Sequence, residues 1–120
     1  MTDAPTELAL FELLCLECRV ATDGAIRYYN AQEQLHRLHG PAVEWADGTR
    51  SWFRNGQRHR EDGPAIVYGD GSRAWFRNGQ RHREDGPAIE YPDGYSAWFI
   101  NGEELTKAEW QHAVDSMRNA

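Results

Sequence analysis

A period of 23 residues constrains this chain more than any other feature. The stretch WFRNGQRHREDGPAI stands at residues 52–66 and again, letter for letter, at 75–89. Gly40-Pro41-Ala42, Gly63-Pro64-Ala65 and Gly86-Pro87-Ala88 recur at that interval, as do Asp47-Gly48, Asp70-Gly71 and Asp93-Gly94. Trp52-Phe53, Trp75-Phe76 and Trp98-Phe99 follow the same rule, and so do Asn55-Gly56, Asn78-Gly79 and Asn101-Gly102. A worn copy comes first, with Asp23-Gly24 and Tyr28-Tyr29, and Ala31-Gln32 where Asn-Gly belongs. Fixed-period self-similarity marks stacked units, none of which buries its apolar face alone.

Asn-Gly and Asp-Gly between alternating apolar residues are strong hairpin signals, because a type I′ turn needs positive φ at both central positions. Residues 65–68 read as a strand that turns at Asp70-Gly71. Residues 73–77 return as a second strand, and Asn78-Gly79 turns again. Pro87 has no amide hydrogen and marks a strand start or edge. The pattern predicts one hairpin per unit over residues 19–104, joined into an antiparallel meander. Adjacent Trp and Phe point to opposite faces of a strand. Stacking therefore places Trp52, Trp75 and Trp98 in a row, either as core between hairpins or as an exposed binding face, with core expected.

The ends read as helical. Thr106 is a helix N-cap, Glu109 three residues on closes a capping box, and Leu105 can staple onto Trp110. Trp110, Ala113, Val114 and Met117 then form one apolar face. The C-terminal helix of 105–120 is expected to cap the open end of the sheet, the alternative being that it packs on a second chain. At the front, residues 8–16 are almost wholly apolar after Asp3 and Pro5, which predicts an N-terminal helix within 1–18.

With 120 residues the chain fits a single domain. It has no apolar run of the ~20 residues needed to span a bilayer, and no signal-peptide pattern. Two cysteines are too few for a disulfide framework, so a reduced, cytoplasmic protein is expected. The net charge of −6 divides into −4 over residues 1–35, +2 over 36–88 and −4 over 89–120. Lys107 is the only lysine among 13 basic residues. Arginine lies flat on aromatic rings where lysine cannot, and most of these arginines are read as covering tryptophan faces.

Cys15-x-x-Cys18 with His36-x-x-His39 has the ligand types of a zinc site. His36 follows the repeat, matching His59 and His82, whereas His39 stands where the other copies have Asp62 and Asp85. One cysteine pair is a weak signal, so no metal and no cofactor are assigned. His59 and His82 beside Glu61-Asp62 and Glu84-Asp85 have the letters of acid–base pairs, but a recurring letter is a spacing rule, and a catalytic site is one constellation. No phosphate-cradling loop or nucleophile motif is present, which argues against an enzyme. Arg54, Arg58, Arg60, Arg77, Arg81 and Arg83 with Trp and Phe suit nucleic acid. The interleaved acids and acidic ends oppose it. A single lysine and no polybasic cluster oppose membrane binding.

The period, with Tyr68, Asp70-Gly71, Trp75 and Asn78-Gly79-Gln80-Arg81-His82 in order, resembles the MORN repeat and its bacterial and viral variants over residues 20–104. It departs at Arg83-Glu84-Asp85-Gly86-Pro87, where typical units continue with closely spaced glycines, so the lipid binding sometimes associated with MORN repeats is not carried over. The resemblance implies an elongated, single-layer sheet of hairpins serving as an interaction scaffold, without a shared catalytic activity. Small acidic proteins of this type look like antitoxins or phage-encoded inhibitors. The expected function is therefore to bind and block a cellular protein target, with nucleic-acid binding as the runner-up and homo-oligomerisation through sheet edges as a third reading. Partner contacts are expected where the copies differ, at Arg54, Arg77 and Ile100 and at Glu44, Val67 and Glu90.

Overall fold

Turn chemistry sets the register. At Asn55, Asn78 and Asn101 φ is 50°, 52° and 49°, and the following glycines lie at 83°, 82° and 85°. Both central residues are left-handed, as a type I′ turn requires. The Asp-Gly turns are different. Only Gly48, Gly71 and Gly94 have positive φ, while Asp47, Asp70 and Asp93 do not. Each Asp carboxylate instead accepts the N–H two residues on, from Thr49, Ser72 and Tyr95, at 2.9, 2.8 and 2.9 Å. That side-chain bond closes a longer turn without a left-handed aspartate.

The computed structural model describes residues 17–119. Its strands are β1 (Glu17–Val20), β2 (Ile26–Tyr29), β3 (Val43–Glu44), β4 (Arg50–Ser51), β5 (Phe53–Arg54), β6 (Gln57–Arg58) and β7 (Ile66–Val67). They continue as β8 (Arg73–Ala74), β9 (Phe76–Arg77), β10 (Gln80–Arg81), β11 (Ile89–Glu90), β12 (Ser96–Ile100) and β13 (Glu103–Leu105), followed by helix α1 (Lys107–Arg118). One nine-stranded sheet runs in the order β1-β2-β3-β4-β7-β8-β11-β12-β13, an antiparallel meander with β5-β6 and β9-β10 as separate pairs. The protein is thus mainly antiparallel β with a C-terminal helix.

The strand expected over 73–77 is interrupted at Trp75, leaving β8 in the large sheet and β9 in its own pair. The cause is a bond to the next unit: Trp75 N–H donates to Ala88 O at 2.7 Å, and Trp52 N–H to Ala65 O likewise at 2.7 Å. The front helix expected within 1–18 falls on residues outside those described, except that Glu17 and Cys18 are strand, opposite Tyr29 and Tyr28.

Direct partners across the sheet are Val43, Ser51, Ile66, Ala74, Ile89 and Ala97, in that order. Facing residues in antiparallel pairs share a face, so this row is the core side. Ala65, Ile66, Ala74 and Phe76 cluster there with Trp52, and Ala88, Ala97 and Phe99 with Trp75. Trp52 and Trp75 therefore pack in clusters with the alanine of the following unit, and Trp98 packs beneath α1. The tryptophan row is partly buried core.

At the far end Thr106 and Glu109 make the expected capping box, with Thr106 Oγ1 accepting Glu109 N–H at 3.1 Å and Glu109 Oε1 accepting Thr106 N–H at 2.9 Å. Trp110 and Val114 are buried with Ile100. Met117, on the same predicted face, is 38% exposed. Truncating Trp110 to Ala removes the largest buried side chain of the cap. Urea unfolding is expected to show a loss of about 3–5 kcal/mol.

Ser51 is fully buried where the other copies have Ala74 and Ala97, and its hydroxyl has no partner among the described residues. Replacing it with the alanine of its sister units removes an unpaired buried hydroxyl. Ser51→Ala is expected to raise stability by about 1 kcal/mol in the same assay.

Candidate functional site

The histidines join one unit to the next. His36 Nδ1 accepts the backbone N–H of Asn55 at 2.9 Å, His59 that of Asn78 at 3.0 Å, and His82 that of Asn101 at 2.9 Å. The glycines of those turns donate in parallel to the backbone oxygens of Leu35, Arg58 and Arg81, each at 2.8 Å. A ring whose Nδ1 accepts carries its neutral-form proton on Nε2. In two copies Nε2 faces a carboxylate, His59 to Glu61 at 3.4 Å and His82 to Glu84 at 2.7 Å. Neither nitrogen then keeps a free lone pair, so the rings have none with which to take a proton from a substrate.

The arginine after each histidine closes its own unit. Arg37, Arg60 and Arg83 lie over Tyr28, Trp52 and Trp75, with Cζ 4.0, 4.0 and 3.7 Å from the ring centroid. Each also donates to the carbonyl of Pro41, Pro64 or Pro87, at 3.2, 3.1 and 3.0 Å. Glycine at 86 permits this, since a Cβ there would stand 2.8 Å from Arg83 Cζ. Asp62 and Asp85 complete two of the clamps at 3.1 and 2.8 Å, and His39 stands in the first copy.

Stacked loops leave open grooves between them. The middle groove, about 600 Å3, runs between residues 60–63 and 82–85 over Trp75, Phe76 and Arg77. The first, about 450 Å3, runs between residues 37–40 and 59–62 over Trp52, Phe53 and Arg54. Sequence reasoning did not find these grooves, although the unbroken spacing of Arg37, Arg60 and Arg83 signals the loops that wall them. Along the opposite, Asp-Gly edge, Tyr68, Tyr91 and Tyr95 are exposed.

The expected partner contacts are distributed unevenly. Arg54 and Arg77 are half-exposed in the grooves and pair with Glu61 and Glu84 at 3.3 and 3.1 Å. Ile100, their counterpart in the last unit, is buried beneath α1 and presents no surface, because the helix covers that position. Glu44, Val67 and Glu90 lie on the face opposite the core row. Glu44 pairs with Arg37 at 3.6 Å, and Glu90 with Arg83 at 3.0 Å and with Arg73. Of the metal candidates, Cys15 lies outside the described residues and Cys18 is an exposed free thiol on β1. His36 is buried and bonded to Asn55, and His39 lies in an exposed loop. Among the described residues no group of three or more His, Cys, Asp or Glu could hold a metal ion.

Compared with known protein families, curated proteins and solved structures, the chain matches none.

Charge follows the ladder. Glu61 is held below the ordinary carboxylate range by the His59 hydrogen bond and then the Arg54 charge. Glu84 is lowered chiefly by its bond from His82, with Arg77 adding to it against some burial. His36 has Leu38 where a glutamate would stand, and its pKa is lowered by burial first and by Arg54 second. A histidine depressed in the native state binds fewer protons there than when unfolded, so stability rises with pH. Its contribution is complete above the unfolded value near 6.5 and is lost as pH falls below it. The two glutamates act in the same direction below 4.5. Melting temperature is expected to begin falling as pH drops below about 6.5, before the carboxylates titrate, and His36→Gln is expected to flatten that first step. An unchanged profile in the variant would remove His36 from this role.

Proposed function

We propose that this chain is a non-catalytic protein-interaction module, a MORN-like scaffold of hairpin repeats that binds and blocks a cellular protein. The observation that carries this is a division of labour among its side chains. The recurring histidines bond one unit to the next and the recurring arginines and acids pair within each unit, while the surface keeps two open grooves between the loops whose walls differ from copy to copy. Extents of 57 × 37 × 21 Å fit an elongated scaffold. No helix of the described residues is long and apolar enough to cross a membrane, and a cytoplasmic target suits two cysteines without a disulfide framework. The likeness of small acidic MORN-type variants to antitoxins and phage-encoded inhibitors is analogy at the level of the fold.

The arginines bear on nucleic acid as the alternative. Arg60 and Arg83 are already stacked on Trp52 and Trp75, and Arg54 and Arg77 are already paired with acids. Few cations are left for phosphate, which weakens that reading.

Tagged full-length protein, used to capture partners from its host lysate with and without nuclease, tests the assignment. One stoichiometric protein, retained after nuclease treatment, is the expected result. Recovery that vanishes with nuclease, together with affinity falling steeply with salt, would replace the proposal with nucleic-acid binding.

A further inference from the structure

Helix α1 marks what the grooves are shaped to hold. Trp110 packs on Trp98 with ring centroids 4.6 Å apart, and its Nε1–H donates to Arg83 O at 2.7 Å. Arg118 donates to Glu84 O at 3.2 Å, and Val114 is buried with Ile100. One period earlier, the positions of Trp98, Arg83, Glu84 and Ile100 are Trp75, Arg60, Glu61 and Arg77. All four line the middle groove. One period earlier again they are Trp52, Arg37, Leu38 and Arg54, and all four line the first groove. The helix thus fills the third member of a series whose first two members stand open.

We infer that the middle groove docks one α-helix of a partner protein, laid alongside α1 and presenting a lysine or arginine to the rim formed by Asp62 and Asp85. The inference rests on the reading of the chain as a protein-interaction module. Spacing supports a helix as the occupant. Each unit adds two strands to the sheet, so equivalent grooves lie about 10 Å apart. That spacing is of the order of the 8–10 Å between packed helices, so a helix laid in the middle groove runs beside α1 with the 82–85 loop between them.

Charge decides what that helix carries. The last unit accepts tryptophan because Thr106 replaces the clamp arginine and Ile100 replaces the groove arginine. In the middle groove Arg83 already covers Trp75, with Gly86 closing its other side, so an aromatic anchor has no place there. Apart from the half-exposed Arg77, which Glu84 already pairs, the most accessible charges are acidic. The Asp62 and Asp85 side chains are 88% and 80% exposed, while Arg60 and Arg83, which they pair with, are 26% and 19% exposed. A cation on the partner meets the free oxygen of either aspartate, and two cations on one helix face meet both. Arg118 of α1 already places a cation against the loop carbonyl of Glu84 in the filled groove.

The probe is a hydrocarbon-stapled helical peptide of residues 106–119 carrying Trp110→Ala, Glu109→Lys and Asp115→Lys, titrated into labelled full-length protein. Saturable one-to-one binding that moves the Trp75 indole N–H resonance is expected. Asp62→Lys with Asp85→Lys is expected to weaken that binding at least about tenfold, measured well below the variant's own melting temperature so that the protein is folded. A second variant, Arg77→Ile with Arg83→Thr, reproduces Ile100 and Thr106 in the middle groove and is expected to tighten binding of the unmodified, Trp110-containing peptide by about tenfold. A Trp75 resonance unmoved at millimolar peptide, or equal affinity for the charge-reversed protein, overturns the site. Capture from the host separates the two readings. If the charge-reversed protein still retrieves the wild-type partner, the groove assignment falls and the module reading stands. If the wild-type chain retrieves no protein, both fall.

Discussion

The bond from each asparagine amide to the histidine of the preceding unit is the constraint on which the rest of the structure depends. A left-handed Asn-Gly turn points its first N–H at the preceding unit, and a hydrogen bond made there contributes about 0.5–1.5 kcal/mol. His36, His59 and His82 supply the acceptor across the unit boundary at nearly constant distance. The alternative source of cohesion is weak here, because the fully buried apolar positions are mostly small: Ala42, Ala65 and Ala88 are completely covered, yet each has only one methyl group. Burial contributes about 0.8 kcal/mol per methylene-sized group. Cohesion between units therefore comes as much from the polar ladder as from the core, and the ladder also fixes the register, which alanines cannot.

The arginine clamp works within the unit rather than between units. Its guanidinium lies on the unit's own aromatic ring, reaches the carbonyl of the Gly-Pro loop and needs a glycine behind it. A cation–π contact contributes about 0.5–2 kcal/mol, and the clamp holds the loop rigidly enough to serve as a groove wall. The same residues that hold the fold therefore shape the two grooves between the stacked loops. This is why the letters kept in all copies and the letters that vary lie side by side.

Much of the fold was legible in the sequence because turn chemistry is local. The Asn-Gly turns, the antiparallel meander and the capping box of α1 each follow from residues close together in the chain. What was not legible depends on distant partners. The break at Trp75 arises from a bond to Ala88, and the Asp-Gly turns are closed by the aspartate side chain rather than by two left-handed residues. At the candidate site, the pairing of Arg54 and Arg77 with acids and the burial of Ile100 could not be read from variation between copies. Variation alone does not distinguish a surface residue from one covered by a terminal helix.

Ile100 and Thr106 explain how the series ends. In the earlier units these positions hold Arg77 and Arg83, or Arg54 and Arg60, and the groove is polar with an acidic wall. Exchanging the two arginines for isoleucine and threonine uncovers the face of Trp98 and makes the floor apolar. A tryptophan on a helix can then occupy it, as Trp110 does. Two substitutions thus convert an open groove into a closed end, and the sheet stops there without an unpaired aromatic row. The reverse comparison is equally informative: units that retain both arginines cannot close on an apolar helix. Their grooves stay open because the clamp that stabilises each loop also excludes the occupant that fills the last one.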